Sequence, residues 1–210
     1  MFGKKRSVVT YITIITVIAF LLQYLIPNFT NYFMLLSADV YTRPWILVTH
    51  MFMHGSPMHL LFNMYALFLF GGLLEQKIGS KRFLMLYFGA GIIAGFVASF
   101  FYPAALGASG AIMAVLATLI VLMPQLKVLF FLVIPMPFWV AGMVWIALDV
   151  FGVFFPSGVG NIAHLVGMAI GLLYGFYLIS KRIKYRKSIS KNKTHMSKED
   201  INNYLNNGKL

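Results

Sequence analysis

Gly107-Ala108-Ser109-Gly110-Ala111-Ile112-Met113-Ala114 decides how this chain is read. This small-residue run opens an apolar segment that continues to Met123. Its glycines leave space around the Ser109 hydroxyl and let the backbone approach another group closely. At about 1.5 Å per residue, a helix from Ser109 to Met123 falls short of a hydrocarbon core roughly 30 Å thick. Such a helix either begins part-way into a membrane or follows a loop that dips into one. Non-helical backbone at that depth is tolerated only where protein or a water-filled cavity surrounds it.

The rest of the chain supplies the membrane. Of its 210 residues, 60% are hydrophobic and 10% charged, against about 25% charged in soluble domains. No soluble fold covers that much apolar surface, so the expected class is an all-α polytopic membrane protein. A net charge of +12 would suggest nucleic acid in a soluble protein. Here the basic residues sit just outside apolar segments, as in cytoplasmic loops, and no nucleic-acid partner is expected. There is no cysteine, hence no disulfide framework and no thiolate chemistry. The first apolar segment follows Lys4, Lys5 and Arg6 as a signal peptide would. It lacks a small-x-small cleavage site and outruns an h-region, so it reads as a retained helix.

Six spans are expected, at about residues 8–26, 58–74, 83–101, 109–123, 136–155 and 161–179. Residues 28–58 hold Asp39, Arg43, Trp45, His50, His54 and the breaker run Gly55-Ser56-Pro57. They read as a structured outer loop with Trp45 near the headgroups. Residues 128–135 read as a loop or re-entrant piece before Pro135 and Pro137. Residues 1–180 form the membrane domain, and 181–210 a basic, mobile tail. Basic residues flank the N-terminus, the 77–82 turn, Lys127 and the tail. Both termini are therefore expected in the cytoplasm, with Ser109 and His164 near the outer side.

Polar residues are costly inside a span and are functional candidates for that reason. They are His50, His54, His59, Asn63, Ser109, Asp149 and His164. Gly167, Gly171 and Gly175 recur every four residues after His164, forming a stripe on which another helix can lie closely. Gly110, Ala111, Ala114 and Ala117 offer a matching face. Packing one on the other would bring Ser109 within hydrogen-bond range of His164, and a serine hydroxyl needs such a base to become a nucleophile. No acidic residue is obviously placed to orient His164, so a dyad is expected. His59 and Asn63 share one helix face. With the Ser109 backbone N–H they could form an oxyanion hole.

Blander readings compete with each of these. A membrane serine commonly bonds its own helix carbonyl, and a glycine stripe commonly serves packing alone. The histidines could hold a metal, but no His-Glu-x-x-His occurs and no carboxylate or cysteine joins them. Glu75 reads as a helix-end residue. Asp149 could relay protons, although Trp145 and Gly152 beside it suggest packing plus a hydrogen bond. A transporter built on these groups would carry internal repeats, and none is found.

Together, His54-x-x-x-x-His59-x-x-x-Asn63, Gly107-Ala108-Ser109-Gly110 and Ala163-His164-x-x-Gly167-x-x-x-Gly171 resemble the rhomboid intramembrane serine proteases, in the pattern of the bacterial six-span type. The likeness covers roughly residues 8–180. It implies a six-helix bundle in a bacterial cell membrane, with a cavity open to the outer side. It also implies cleavage of transmembrane protein substrates in or near their membrane segment, through an acyl-enzyme and without metal or cofactor. By resemblance Ser109 and His164 are the catalytic pair, and His59 and Asn63 the oxyanion side chains. His54 and, by extension, His50 are structural or water-retaining, while Gly107, Gly110, Gly167 and Gly171 give close approach. The chain departs from the family where Ile46 rather than arginine follows Trp45, and where Met113 stands in place of an aromatic residue. A silent binder of transmembrane helices is the alternative, though a binder does not need a nucleophile beside a base.

Overall fold

The computed structural model describes residues 7–130, 133–155 and 158–191. The basic residues 4–6, part of the 156–160 turn and the tail beyond 191 lie outside them.

Besides two short 3-10 turns at Ser37–Asp39 and His50–Phe52, eight helices are described: α1 (Val8–Leu25), α2 (Phe29–Phe33), α3 (Ile46–Thr49), α4 (Pro57–Ile78, π-helical at Leu67–Gly71), α5 (Ser80–Ala98), α6 (Ser109–Leu122), α7 (Phe138–Phe154) and α8 (Asn161–Lys191). Among the described residues, four are long and apolar enough to cross a membrane: α1, α4, α5 and residues 161–184 of α8. Helices α6 and α7 are apolar but shorter.

The short α6 is the axis of the bundle. Nearly every residue from Gly110 to Leu119 is buried, because glycine and alanine let α5 and α8 approach on either side. A Cβ on Gly110 would lie 3.0 Å from Ala94 Cβ on α5 and 3.4 Å from the Ala163 oxygen on α8. By contrast, α1 and α7 keep broad apolar faces exposed, among them Ile15, Leu21, Met143 and Phe151. In a membrane such faces meet lipid.

Two ties hold the rim of the bundle. At one end the Glu75 carboxylate of α4 accepts hydrogen bonds from Ser7 Oγ, the Val8 and Val9 N–H groups and Ser80 Oγ. It thus caps α1 through backbone donors that the first helical turn leaves unpaired. At the other end, the loop after α1 is a structured element, as expected. Strand β1 (Leu35–Leu36) pairs antiparallel with β2 (Ala104–Ala105), Leu35 opposite Ala105. Arg43 is ion-paired with Asp39 and donates to the Asn31 carbonyl, so it anchors this loop without an arginine after Trp45.

The chain departs from the sequence reading between α6 and α7. Residues 128–135 were expected as loop or re-entrant backbone. Instead β3 (Lys127–Phe130) and β4 (Ile134–Pro137) form an antiparallel hairpin, Lys127 opposite Pro137. The fold is therefore helical with two small β elements. The fifth apolar helix begins at Phe138 rather than 136, because Pro135 and Pro137 lie in the strand just before it. The last helix also runs past residue 179 to Lys191.

Candidate active site

Ser109 is the first residue of α6. The bend that delivers it is Gly107, whose φ of +117° few other residues adopt. Its N–H donates to the His50 carbonyl at 2.9 Å, which ties the bend to the outer loop. A Cβ there would lie 2.9 Å from His59 Nε2, so the missing side chain is what lets the imidazole lie over the bend.

His164 stands in the first turn of α8, and the glycine stripe behind it does what its spacing predicts. A Cβ on Gly171 would meet the Ala114 oxygen at 2.2 Å, and one on Gly175 would meet Val121 Cβ at 2.7 Å. Thr118, unremarked in the sequence, adds a staple: its Oγ1 donates both to its own helix at Ala114 and across to the Gly171 carbonyl, at 2.8 and 3.0 Å. With α6 and α8 this close, Ser109 Oγ lies 2.7 Å from His164 Nε2.

The other ring nitrogen corrects the sequence reading. An orienting acid was not expected, yet His164 Nδ1 lies 2.9 Å from Asp149 Oδ1 of α7. Asp149 and His164 are fifteen residues apart in the sequence, beyond helical periodicity, and the α7–α8 turn that joins them has no motif. Asp149 being one of few acids in the chain was the signal available.

The remaining candidates gather nearby. Asn63 and Ser109 both line a cavity of about 1500 Å³ that runs between α4, α6, the β3–β4 hairpin and Trp145 of α7. Met113 lines the same cavity. Asn63 Nδ2 donates to the His59 carbonyl at 2.9 Å, which fixes the amide and leaves its second N–H free of that bond. The Ser109 N–H belongs to the first helical turn, where no intrahelical acceptor exists.

His54 packs edge-on against His59 with ring centroids 4.9 Å apart. His50 is held under Gly95, and its Nδ1 is 2.9 Å from the Ile46 carbonyl. Burial pushes the pKa of His50 down to about 4. Burial, then the neighbouring His59, does the same for His54, also to about 4. Both are thus neutral supports at pH 7. Gln23 of α1, not singled out in the sequence, clasps the His54 backbone: its Oε1 accepts from the His54 N–H at 3.0 Å and its Nε2 donates to the His54 carbonyl at 3.1 Å.

A family model, the rhomboid domain, matches residues 41–181, the stretch that carries Ser109, His164, Asp149, Asn63 and the histidines His50, His54 and His59. The chain belongs to the rhomboid family. It is 38% identical over 133 residues to the rhomboid protease GlpG of Haemophilus influenzae, covering 63% of this chain and 68% of that one. It is 36% identical to the mitochondrial rhomboid protein 1 of Saccharomyces cerevisiae, over 76% of this chain and 49% of the relative. A third relative is the human mitochondrial presenilin-associated rhomboid-like protein, 34% identical over 67% of this chain and 39% of its own length. The chain thus spans about half or less of the two mitochondrial relatives. Family and apolar helices together make this rhomboid an integral membrane protein.

Proposed function

We propose that this rhomboid is an intramembrane serine endopeptidase that cleaves transmembrane proteins in or near their membrane segment. The observation that carries this reading is the 2.7 Å approach of Ser109 Oγ to His164 Nε2. A nucleophile and base at that distance, inside a bundle built to hold them, are what acyl transfer requires.

In the proposed course a substrate helix unwinds beside Ser109, freeing a carbonyl that its own i−4 hydrogen bond had occupied. Ser109 Oγ gives its proton to His164 Nε2 and bonds to the carbonyl carbon. The oxyanion is held by the Ser109 N–H, Asn63 Nδ2 and His59. The intermediate collapses as the C–N bond breaks, and the leaving amine takes the proton from His164. Water then gives a proton to His164 and its oxygen to the acyl carbon, and Ser109 Oγ leaves with that proton. No metal or cofactor enters any step. The cavity bounded by Phe62, Asn63, Met113 and Trp145 offers an apolar substrate segment a place beside Ser109.

The proposal includes six spans, with α6 and α7 completing the four longer helices. It places both termini in the cytoplasm of a bacterial cell and the site toward the outer side. Single cysteines introduced into this cysteine-free chain at Tyr41 and Lys81 should react with impermeant maleimide from opposite faces.

The deciding experiment is labelling with a fluorophosphonate together with cleavage of a reporter transmembrane segment in liposomes. Wild type should do both, and Ser109→Ala and His164→Ala neither. Lack of both in the wild type, in detergent and in lipid, would leave the silent helix binder as the reading.

A further inference from the structure

We propose that Asp149 is a positioning residue for His164, making the site an Asp149–His164–Ser109 chain rather than a dyad. The inference rests on the reading of Ser109 and His164 as nucleophile and base.

Three observations carry it. His164 is engaged at both ring nitrogens, Nε2 by Ser109 Oγ at 2.7 Å and Nδ1 by Asp149 Oδ1 at 2.9 Å. An ionised carboxylate can only accept, so its partner nitrogen must carry the proton. In the neutral ring this leaves Nε2 bare, facing the Ser109 hydroxyl, which is the form a general base needs.

The second observation is where α7 is buried. Its buried residues are Phe138, Ala141 and Gly142 near its start, and then Asp149. The later half of an otherwise lipid-facing helix thus turns inward at its one acid. A buried carboxylate is costly unless it is paired, and the imidazole is its partner.

Third, the approach that makes the pair possible is built into the chain. A Cβ on Gly152, one turn after Asp149, would lie 2.5 Å from Asn161 Nδ2, one turn before His164. Glycine here lets α7 rest against the start of α8 at the level where the carboxylate meets the ring. Among the described residues, His59 of α4 also lies within electrostatic reach of His164. It cannot supply a negative charge, so stabilising an imidazolium as it forms falls to Asp149.

The test uses the full chain in micelles and compares Asp149→Asn with Asp149→Ala in the rate of fluorophosphonate labelling. If Asp149 only fills space, the near-isosteric Asp149→Asn is the milder change. If it orients the ring, Asp149→Asn is at least as damaging, because an amide can donate to Nδ1 and drive the proton to Nε2. We expect both to slow labelling by about a hundredfold, with thermal midpoints close to wild type for Asp149→Asn. A second readout, nitrogen-15 spectra of histidine-labelled Ser109→Ala, should show His164 protonated at Nδ1 with a strongly deshielded proton, lost on adding Asp149→Ala.

Labelling of both variants at the wild-type rate would overturn the positioning role and leave nucleophile and base intact. Absence of labelling in the wild type would instead overturn the enzyme reading. The spectra would then still decide the contact: protonation at Nδ1 supports it and protonation at Nε2 overturns it. The same spectra decide the matter if either Asp149 variant fails to fold.

Discussion

A Cβ on Gly167 would lie 2.0 Å from the backbone oxygen of Gly110, so the helices bearing Ser109 and His164 touch backbone to backbone. The obstructing atom is a carbonyl, which no rotamer change can move. Gly167→Ala must therefore push α8 off α6 and stretch the 2.7 Å contact between His164 and Ser109. Overpacking typically costs about 1–3 kcal/mol, more where backbone must move. Fluorophosphonate labelling should fall at least about tenfold and the thermal midpoint should drop. Gly89→Ala is the control. Nothing lies within 4 Å of a Cβ there, and alanine is favoured over glycine in a helix by about 1 kcal/mol, so it should be neutral or stabilising.

Gly107→Ala separates strain from site geometry. Its φ of +117° disfavours any side chain, at a cost of order 1–3 kcal/mol. The new methyl would also press on the His59 ring, with Nε2 at 2.9 Å. Gly158, at φ +79°, shares the strain but has nothing within 4 Å. Both alanine variants should lower the midpoint. Only Gly107→Ala should cut the cleavage rate of a reporter segment. Equal cleavage by the two would remove His59 from the site.

Asn63→Ala tests the oxyanion side chain. One Nδ2 hydrogen is spent on the His59 carbonyl at 2.9 Å, leaving the other to serve an oxyanion. Losing a full oxyanion donor costs about two to three orders of magnitude in turnover. The expected loss is in kcat, measured with a reporter segment in liposomes, with KM little changed. A loss under about fivefold would assign the oxyanion to the Ser109 N–H and its neighbours.

These residues also mark how far the sequence could be read. Spacing alone predicted the stripe of Gly167, Gly171 and Gly175 and the small face of α6, because helical periodicity is local and close packing leaves a residue-size signature. The start of α6 at Ser109 was legible for the same reason. The β3–β4 hairpin was not: after Lys127, residues 128–137 are apolar throughout, so no alternation marks strands, and their pairing depends on a partner the sequence does not reveal. The 149–164 contact was missed because it joins two different helices, and helical periodicity within one segment says nothing of which side chains meet across two. Gln23 was missed because it acts through the backbone of residue 54, and an amide that bonds backbone leaves no mark in its partner's identity. Glu75 was placed correctly at a helix end, but its capping of a different helix, α1, is a tertiary fact.

Acid should destabilise the protein through the outer loop. His50 and His54 lie in that loop, and burial holds both near a pKa of about 4, against 6.5 in an unfolded chain. Above pH 6.5 both are neutral in either state and the fold has its full stability. As pH falls from 6.5 toward 4 the unfolded chain takes up protons that the folded one refuses, so stability declines across that window. Below about 4 the folded state titrates as well, and these groups add no further loss. Each histidine can contribute a few kcal/mol at most, since one pKa unit is about 1.4 kcal/mol. Thermal midpoints in a zwitterionic detergent should drop between pH 6.5 and 4.5, and below about 4 these two histidines should add nothing more to the fall. His54→Phe isolates the effect. The ring is 1% exposed and, among the described residues, neither of its nitrogens has a hydrogen-bond partner of good geometry, the Phe52 backbone acting on it only weakly, so phenylalanine replaces it at little cost. The variant should match wild type at pH 7.5 and lose part of the acid sensitivity. His50→Phe should flatten the curve as well, but at a cost at pH 7.5, because His50 Nδ1 is bonded to the Ile46 carbonyl at 2.9 Å. A His54→Phe curve superimposable on wild type would mean that the His54 ring is charged in the folded protein at mildly acid pH, with a counter-charge or water beside it.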